Sequence, residues 1–177
     1  MVNTGRPPAR VVVVTGVGGV GKTTVGRLLA AELGAGFCDG DWLHPPCNVE
    51  KMRAGHPLDD SDRAPWLRAL ATHIGRTLER GGRQVVCCSA LKRAYRDVLD
   101  VSPHVYFAHL TADPDLVRDR LAHRQGHFFP ASLTDSQFAD LEPLAPAERG
   151  TTLSAAPPPE RIVANLLRLL HDPAGAA

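Results

Sequence analysis

The sequence lacks the features that mark disulfide-rich, metal-finger and membrane proteins. Its four cysteines form neither a CxxC pair nor the spacing of a zinc finger, so we predict reduced thiols in the cytoplasm. Cys87 and Cys88 are neighbours in a predicted strand and should point to opposite faces of the sheet. Val11–Val14, the most apolar run near the amino terminus, is too short to span a membrane and is followed closely by Gly16 instead of a small-residue cleavage site. We therefore expect neither an export signal nor a membrane anchor.

An excess of charge of one sign is also absent. The 20 Lys and Arg residues stand against 19 Asp and Glu, and the basic residues are scattered along the chain. This pattern argues against a nucleic-acid or membrane surface and favours a small-molecule substrate. Lysine itself is scarce, since Lys22, Lys51 and Lys92 are the only three. Each lysine either marks a site that needs a compact ammonium group or is a chance survivor of a preference for arginine.

Apolar runs alternate with helical patterns along the chain and predict an α/β fold. Its 177 residues and 44% hydrophobic content suit one domain over residues 1–177. The alternation predicts a parallel sheet of five strands with helices on both faces. The predicted strands are Arg10–Thr15, Gly36–Asp39, Gln84–Cys88, His104–Leu110 and Thr151–Ser154, and the predicted helices are Lys22–Leu33, Asp62–Arg80, Tyr95–Asp100, Pro114–Arg124 and Pro159–Leu170.

Two long segments interrupt this alternation. Asp41–Pro65 is rich in Pro, Gly, Asp and His, and Gln125–Pro146 is dense in proline. Long connections in α/β enzymes often bind substrate or close over it, although plain surface loops are the alternative. We predict a substrate-binding segment at about 41–66 and a lid at about 125–134.

A phosphate-binding loop lies between the first strand and the first helix. Gly16–Thr23 matches GxxxxGK[ST], in which backbone N–H groups surround the phosphates, the lysine reaches the β- and γ-phosphates, and the hydroxyl ligates magnesium. This motif predicts a P-loop NTPase-type fold that binds a nucleoside triphosphate with Mg²⁺. The predicted nucleotide-binding residues are Gly16, Val17, Gly18, Gly19, Val20, Gly21, Lys22, Thr23 and Thr24.

The loop alone does not separate a kinase from a nucleotide-dependent switch. Asp39 and Asp41, on either side of Gly40, follow the second strand at the sheet edge where such folds bind ligands. One carboxylate can lie near magnesium while the other accepts a proton from an attacking hydroxyl. A turn that caps the next segment is the alternative.

Basic side chains in the segments Asp41–Pro65 and Cys88–Asp97 suit an anionic phosphoryl acceptor. Lys51, Arg63, Lys92 and Arg96 are expected to face the P-loop across a cleft, and arginine can bind a carboxylate with two hydrogen bonds. For each of them, a solvated surface charge is the alternative.

Arginines also precede the second long segment. Arg118, Arg120 and Arg124 come just before Gly126 and His127, a placement that suits a closing lid in which one arginine stacks on the base and another neutralises the transferred phosphoryl group. Arginine in the last turn of a helix can instead simply complement the helix dipole.

From about residue 11 to 143 the chain resembles bacterial gluconate kinase. Several multi-residue blocks recur in the same order, which makes this resemblance far more specific than the P-loop. The blocks are the segment from Asp39 to Pro46, Asn48 through Met52, Gly55, Pro57-Leu58, Asp60, Asp62-Arg63, Pro65-Trp66, Cys88 to Arg93, Tyr95 to Asp97, Gly126 to Phe128 and Ser136 to Phe138.

The resemblance implies ATP-dependent phosphorylation of D-gluconate to 6-phosphogluconate, which leads gluconate into the pentose phosphate pathway. It implies a fold like shikimate and nucleoside monophosphate kinases in a cytoplasmic homodimer. Asp41 would bind the reacting hydroxyl and act as its base, Asp39 would lie near Mg²⁺, and Arg63 would bind the carboxylate. Further substrate candidates are His44, Lys51, Ser89, Lys92, Arg96 and His127; Arg120 would bind ATP, and Arg120 and Arg124 would belong to the lid, with Arg124 catalytic.

The chain departs from the family pattern in two places. Gln125 stands where a lysine is common, and 151–159 lacks a strongly apolar final strand. The remaining alternatives are a related P-loop kinase for another small acid, such as a shikimate-like one, and a nucleotide-dependent regulatory switch.

Overall fold

The computed structural model describes residues 7–123 and 131–171. Within these residues, five strands alternate with seven helices. The strands are β1 (Val11–Thr15), β2 (Gly36–Asp39), β3 (Gln84–Cys87), β4 (Val105–Thr111) and β5 (Gly150–Ser154). The helices are α1 (Lys22–Leu33), α2 (Pro46–Arg53), α3 (Asp60–Glu79), α4 (Arg93–Leu99), α5 (Pro114–Ala122), α6 (Ala131–Asp140) and α7 (Pro159–His171), with one 3₁₀ turn at Gly40–Leu43.

The five strands form one parallel sheet in the order β2-β3-β1-β4-β5. β1 lies at its centre, where Val13 is opposite Val86 of β3 and Phe107 of β4. Such β-branched and aromatic residues favour a strand that is buried on both faces. The predicted parallel sheet is therefore confirmed, and the strand bounds differ from the prediction by a residue at most.

Helices cover both faces of the sheet, and each face has its own apolar core. One core joins the sheet to α1, α5 and α7 through residues such as Leu29, Val117 and Leu166. The other joins it to α3 and α4 through residues such as Leu70 and Leu99. Cys87 belongs to the first core and Cys88 to the second, as the alternation of side chains along a strand requires. No helix in the described ranges is long and apolar enough to span a membrane.

Both segments predicted as long connections contain helices. The first holds α2, which begins at Pro46, and the start of α3, where Asp59 accepts a hydrogen bond from the amide of Asp62 in a capping box. The second holds α6. Proline is compatible with the first turn of a helix, where its missing N–H has no partner to lose. The sequence pattern predicted no helix at the positions of α2 and α6, whereas the roles of these stretches as substrate-binding segment and lid stay predictions.

Candidate active site

The P-loop connects β1 to α1 at the carboxyl edge of the sheet, and it lines a cavity of about 980 Å³. Two of its glycines are required by the backbone. Gly16 has a φ of 140°, and a Cβ there would lie 2.5 Å from the carbonyl oxygen of Leu110. Gly19 has a φ of 82°, and a Cβ would lie 2.7 Å from the side chain of Leu121. The loop conformation thus depends on these glycines, as expected for a backbone that must wrap a phosphate.

Lys22 is fixed at the inner end of this loop. Its Nζ donates hydrogen bonds of 2.9 Å to the carbonyl oxygens of Gly16 and Val17. Burial lowers its pKa, and the nearby carboxylate of Asp41 acts in the opposite direction. The ammonium group therefore lies against the phosphate cradle and within electrostatic reach of Asp41.

Thr23 and Asp39 meet beside the loop and offer the oxygen ligands that a magnesium–phosphate complex needs. The Thr23 hydroxyl donates to Asp39 Oδ2 at 3.2 Å. A P-loop Mg²⁺ takes one or two protein oxygens and completes its octahedron with phosphate and water, so this pair fits such an ion. The described residues contain no cluster of three or more acidic, His or Cys side chains suited to a metal.

The turn after β2 positions Asp41 in the same cavity. Asp39 Oδ1 accepts the amide N–H of Asp41 at 3.2 Å, and the indole of Trp66 donates to the Gly40 carbonyl at 2.8 Å. Trp66 is buried in the core of the α3 face. The alternative interpretation of Asp-Gly-Asp as a turn is thus correct for the backbone, and the same turn places Asp41 where it lines the cavity.

Arg63 and His44 line another part of the same cavity. Arg63 is 6% exposed, its Nε finds no hydrogen-bond partner in the described part of the chain, and its guanidinium lies 5.6 Å from the ring centroid of Tyr95. A buried cation with an unused donor is costly unless an anion binds it. Arg63 is therefore suited to a substrate carboxylate.

His44 lies flat against the indole of Trp66, with 4.3 Å between ring centroids. Burial, with a smaller contribution from the charge of Arg63, lowers its pKa to about 4. The ring is neutral at physiological pH and can exchange hydrogen bonds with hydroxyl groups. Ser89 also lines this part of the cavity.

Lys51 and Lys92 do not line the cavity, contrary to our prediction that they face it. Lys51 Nζ contacts Asp62 Oδ2 at 2.5 Å, and Lys92 Nζ contacts Asp60 Oδ1 at 2.9 Å. Both lysines therefore neutralise aspartates in the first turn of α3, the helix that carries Arg63. Of the three lysines, Lys22 alone lies in the phosphate-binding loop.

The prediction that Arg96 faces the cleft is wrong. Its side chain is fully buried and forms a salt bridge to Glu148, with Nε to Oε1 at 2.6 Å. Its other donors bind the carbonyl oxygens of Leu91, Glu142 and Pro143. Arg96 thus ties α4 to the segment before β5 and has no donor directed at a ligand.

At the nucleotide end, Arg120 joins the P-loop to the segment after β5. Its guanidinium donates to the carbonyls of Val20 at 3.0 Å and Ala155 at 2.7 Å. Leu121, Pro157, Pro159 and Ile162 continue this wall of the cavity with apolar surface. This geometry suits a nucleotide base, although 151–159 gave no such signal in the sequence.

Some predicted lid residues lie outside the described part of the chain. These are Arg124, Gln125 and His127. Of the predicted lid at 125–134, residues 131–134 are described and belong to α6.

The cavity is also lined by side chains that sequence reasoning did not assign to it, among them Trp42, Arg53, Ser136 and Gln137. Trp42 is 66% exposed and meets Phe37 edge to face. Ser136 and Gln137 fall in a block that carried the family resemblance, which was the available signal for them. Trp42 likewise lies in the block from Asp39 to Pro46, whereas Arg53 directly follows the block that ends at Met52 and has no pattern of its own.

A buried histidine supports the end of β1, just before the P-loop. His109 of β4 is 0% exposed, and its Nδ1 lies 2.8 Å from Thr15 Oγ1. Burial and then the charge of Arg96 lower its pKa to about 4, while Glu148 acts in the opposite direction. His109 is therefore a neutral structural group.

The chain is similar to known proteins. A family model described as an AAA domain matches residues 12–127. The gluconokinase of Gluconobacter oxydans is 45% identical over 161 residues, which cover 90% of each chain. The chain belongs to the gluconokinase family.

Solved structures agree with this family membership. A gluconokinase from Sinorhizobium meliloti superposes with a TM-score of 0.83 at 40% identity, over 96% of this chain and 95% of its own. A sugar kinase from Janibacter superposes with a TM-score of 0.88 at 44% identity, over 96% and 99%. The resemblance predicted from the sequence blocks is thereby confirmed for the gluconokinase family and its P-loop kinase fold.

Proposed function

We propose that the protein transfers the γ-phosphoryl group of ATP to the C6 hydroxyl of D-gluconate and releases 6-phosphogluconate. The observation that carries this proposal is the pairing, in one cavity, of a P-loop with the buried Arg63, whose Nε has no hydrogen-bond partner among the described residues. A phosphate cradle alone would suit a switch, whereas a buried cation across from it suits an anionic acceptor. Family membership supports gluconate as that acceptor.

In this proposal Arg63 binds the carboxylate and thereby fixes the orientation of the open-chain acid in the cavity. His44, as a neutral ring, and Ser89 bind hydroxyl groups along the chain, and His127 contributes to substrate binding. Asp41 then receives the C6 hydroxyl and accepts its proton as the oxygen attacks phosphorus. The spacing between a fixed carboxylate and a fixed hydroxyl would select an acid of gluconate's length.

On the donor side, P-loop amides and Lys22 would hold the β- and γ-phosphates. Thr23 and Asp39 would hold Mg²⁺, which supplies positive charge that neutralises the phosphate oxygens. Arg120 would lie against the base, and Arg124 would neutralise charge on the transferred group. Most of the rate enhancement would then come from positioning and electrostatic stabilisation. We further propose that the protein acts as a cytoplasmic homodimer.

A substrate panel tests the proposal. ADP release is measured with Mg-ATP and, in turn, gluconate, shikimate, AMP and related polyol acids. We expect release with gluconate and none above background with shikimate or AMP. Release only with another acceptor would overturn the choice of substrate, and nucleotide binding without transfer to any small molecule would favour a switch.

A further inference from the structure

A side chain from α6 occupies a backbone donor of the P-loop. The amide N–H of Gly18 donates to Gln137 Oε1 at 2.5 Å, although the two residues are 119 positions apart in the sequence. Both residues line the cavity. P-loop amides ordinarily serve phosphate oxygens, so a protein side chain on one of them calls for an explanation.

Gln137 is held in place by the anchoring of its helix. Asp135 of α6 pairs with Arg118 of α5 at 3.2 Å, and Asp140 pairs with Lys92 at 3.5 Å. The next turn is fixed too, because Glu142 donates its amide to the Leu91 carbonyl at 3.0 Å. Leu133, one turn before Gln137, is 5% exposed. The contact with Gly18 thus comes from a helix that is held at its middle, through Asp135, and at its carboxyl end, through Asp140 and Glu142.

The contact between Gly18 and Gln137 lies in the part of the P-loop that Lys22 contacts. Lys22 Nζ binds the carbonyls of Gly16 and Val17, the two residues that directly precede Gly18. In a P-loop the lysine reaches the β- and γ-phosphates. Gln137 therefore meets the loop beside the group that marks the γ-phosphate position.

The chemistry of a primary amide suits this place. A glutamine side chain has one carbonyl acceptor and two N–H donors. With Oε1 on the Gly18 N–H, the Nε2 group of Gln137 still has donors for a phosphate oxygen. A carboxylate at the same position would keep the first bond but would repel the phosphate.

We propose that Gln137 binds the terminal phosphoryl group of the nucleotide, with Oε1 fixing the Gly18 peptide and Nε2 donating to a γ-phosphate oxygen. Gln137 then makes the donor site prefer a triphosphate over a diphosphate. This inference rests on the proposed kinase function only for its use in catalysis, because nucleotide binding itself needs no acceptor.

The test measures affinities for a non-hydrolysable ATP analogue and for ADP, each with Mg²⁺ and without any sugar acid. In Gln137→Glu the carboxylate keeps an acceptor for Gly18 and loses the donor. We expect affinity for the analogue to fall at least about tenfold, as for loss of a hydrogen bond to a charged group. Affinity for ADP should change less than about twofold, since the γ-phosphate contact is absent from that complex. Equal loss for both nucleotides, or no loss for either, would overturn the proposal.

Two further variants separate this role from a structural one. Gln137→Met has a similar length without the amide and should also lose affinity for the analogue while it keeps ADP. If Gln137→Glu does not fold, this variant decides the question by the same ratio. Ala139→Glu adds the same charge at an exposed position of α6 and should leave the ratio unchanged; an equal change in this control would contradict the proposal. Failure of gluconate turnover in the unaltered protein would refute the proposed function without affecting these binding ratios.

Discussion

The two sides of the cavity are built in different ways. The donor side is made of backbone, because Gly16 and Gly19 hold conformations and close contacts that a side chain would prevent. The acceptor side is made of side chains from separate elements, with His44 stacked on Trp66 and Arg63 buried near Tyr95. Single substitutions on the acceptor side should therefore alter substrate use and leave nucleotide binding intact.

The largest effect is expected for Asp41→Asn, which should lower turnover without lowering nucleotide affinity. The variant keeps the size of the side chain but cannot accept the hydroxyl proton, so turnover should fall at least about a hundredfold, as for loss of a general base. Nucleotide affinity, measured by titration calorimetry, should stay within about twofold, because the asparagine side chain has the same size as aspartate and leaves the P-loop unchanged. Undiminished turnover would remove Asp41 from this role.

Arg63 offers the next largest effect. Arg63→Lys keeps a positive charge but loses the planar pair of donors that fits a carboxylate. KM for gluconate should rise by about tenfold or more, the cost of a lost hydrogen bond between charged groups. KM for ATP should not change. Arg53→Lys, a substitution of the same kind at an exposed position of the cavity, provides the comparison; equal effects in both variants would argue against a special role for Arg63.

Acid should destabilise the fold through His109. Its folded pKa of about 4 lies below the ordinary value of 6.5, so between these pH values the unfolded chain binds a proton that the folded chain does not. The contribution of the neutral His109 to the free energy of unfolding is therefore fully present above pH 6.5 and is lost as the pH falls toward 4. The difference between these two pKa values corresponds to about 2 kcal/mol of free energy of unfolding lost between pH 7 and pH 5.

Urea unfolding across this pH range checks the assignment. The loss should be smaller in His109→Gln and unchanged in His123→Gln, which alters an exposed ring. An identical pH dependence in His109→Gln and the unaltered protein would contradict it.

The smallest effects are expected at Lys51 and Lys92. Their ion pairs with Asp62 and Asp60 are partly exposed, and such pairs contribute little. Lys92→Met should change KM for gluconate by less than about threefold, since the lysine pairs with Asp60 and Asp140 and does not line the cavity. A rise as large as that of Arg63→Lys would restore Lys92 as a substrate ligand.

The place and conformation of the P-loop could be predicted from the sequence because each position of the motif requires one residue type. Glycines with positive φ, one lysine and one hydroxyl can be recognised without knowledge of distant contacts, and Gly36–Asp39 and Lys22–Leu33 were predicted with the bounds the structure shows. The opposite faces of Cys87 and Cys88 followed from the pleat alone.

The acceptor side was harder because burial of a charge depends on partners far along the chain. Arg96 and Arg63 look alike in the sequence, but Glu148 lies 52 positions beyond Arg96 and occupies its guanidinium, whereas Arg63 Nε has no such partner among the described residues. Local patterns carry no signal of that difference. Helix α6 was missed for a related reason, since its anchors to Arg118 and Lys92 are tertiary.

The most direct measurement is a crystal structure of the protein with Mg-ADP and gluconate bound. Our account predicts the gluconate carboxylate within hydrogen-bond distance of the Arg63 guanidinium and the C6 hydroxyl against Asp41, facing the P-loop. Gluconate bound in the reverse orientation, or away from Arg63, would contradict it.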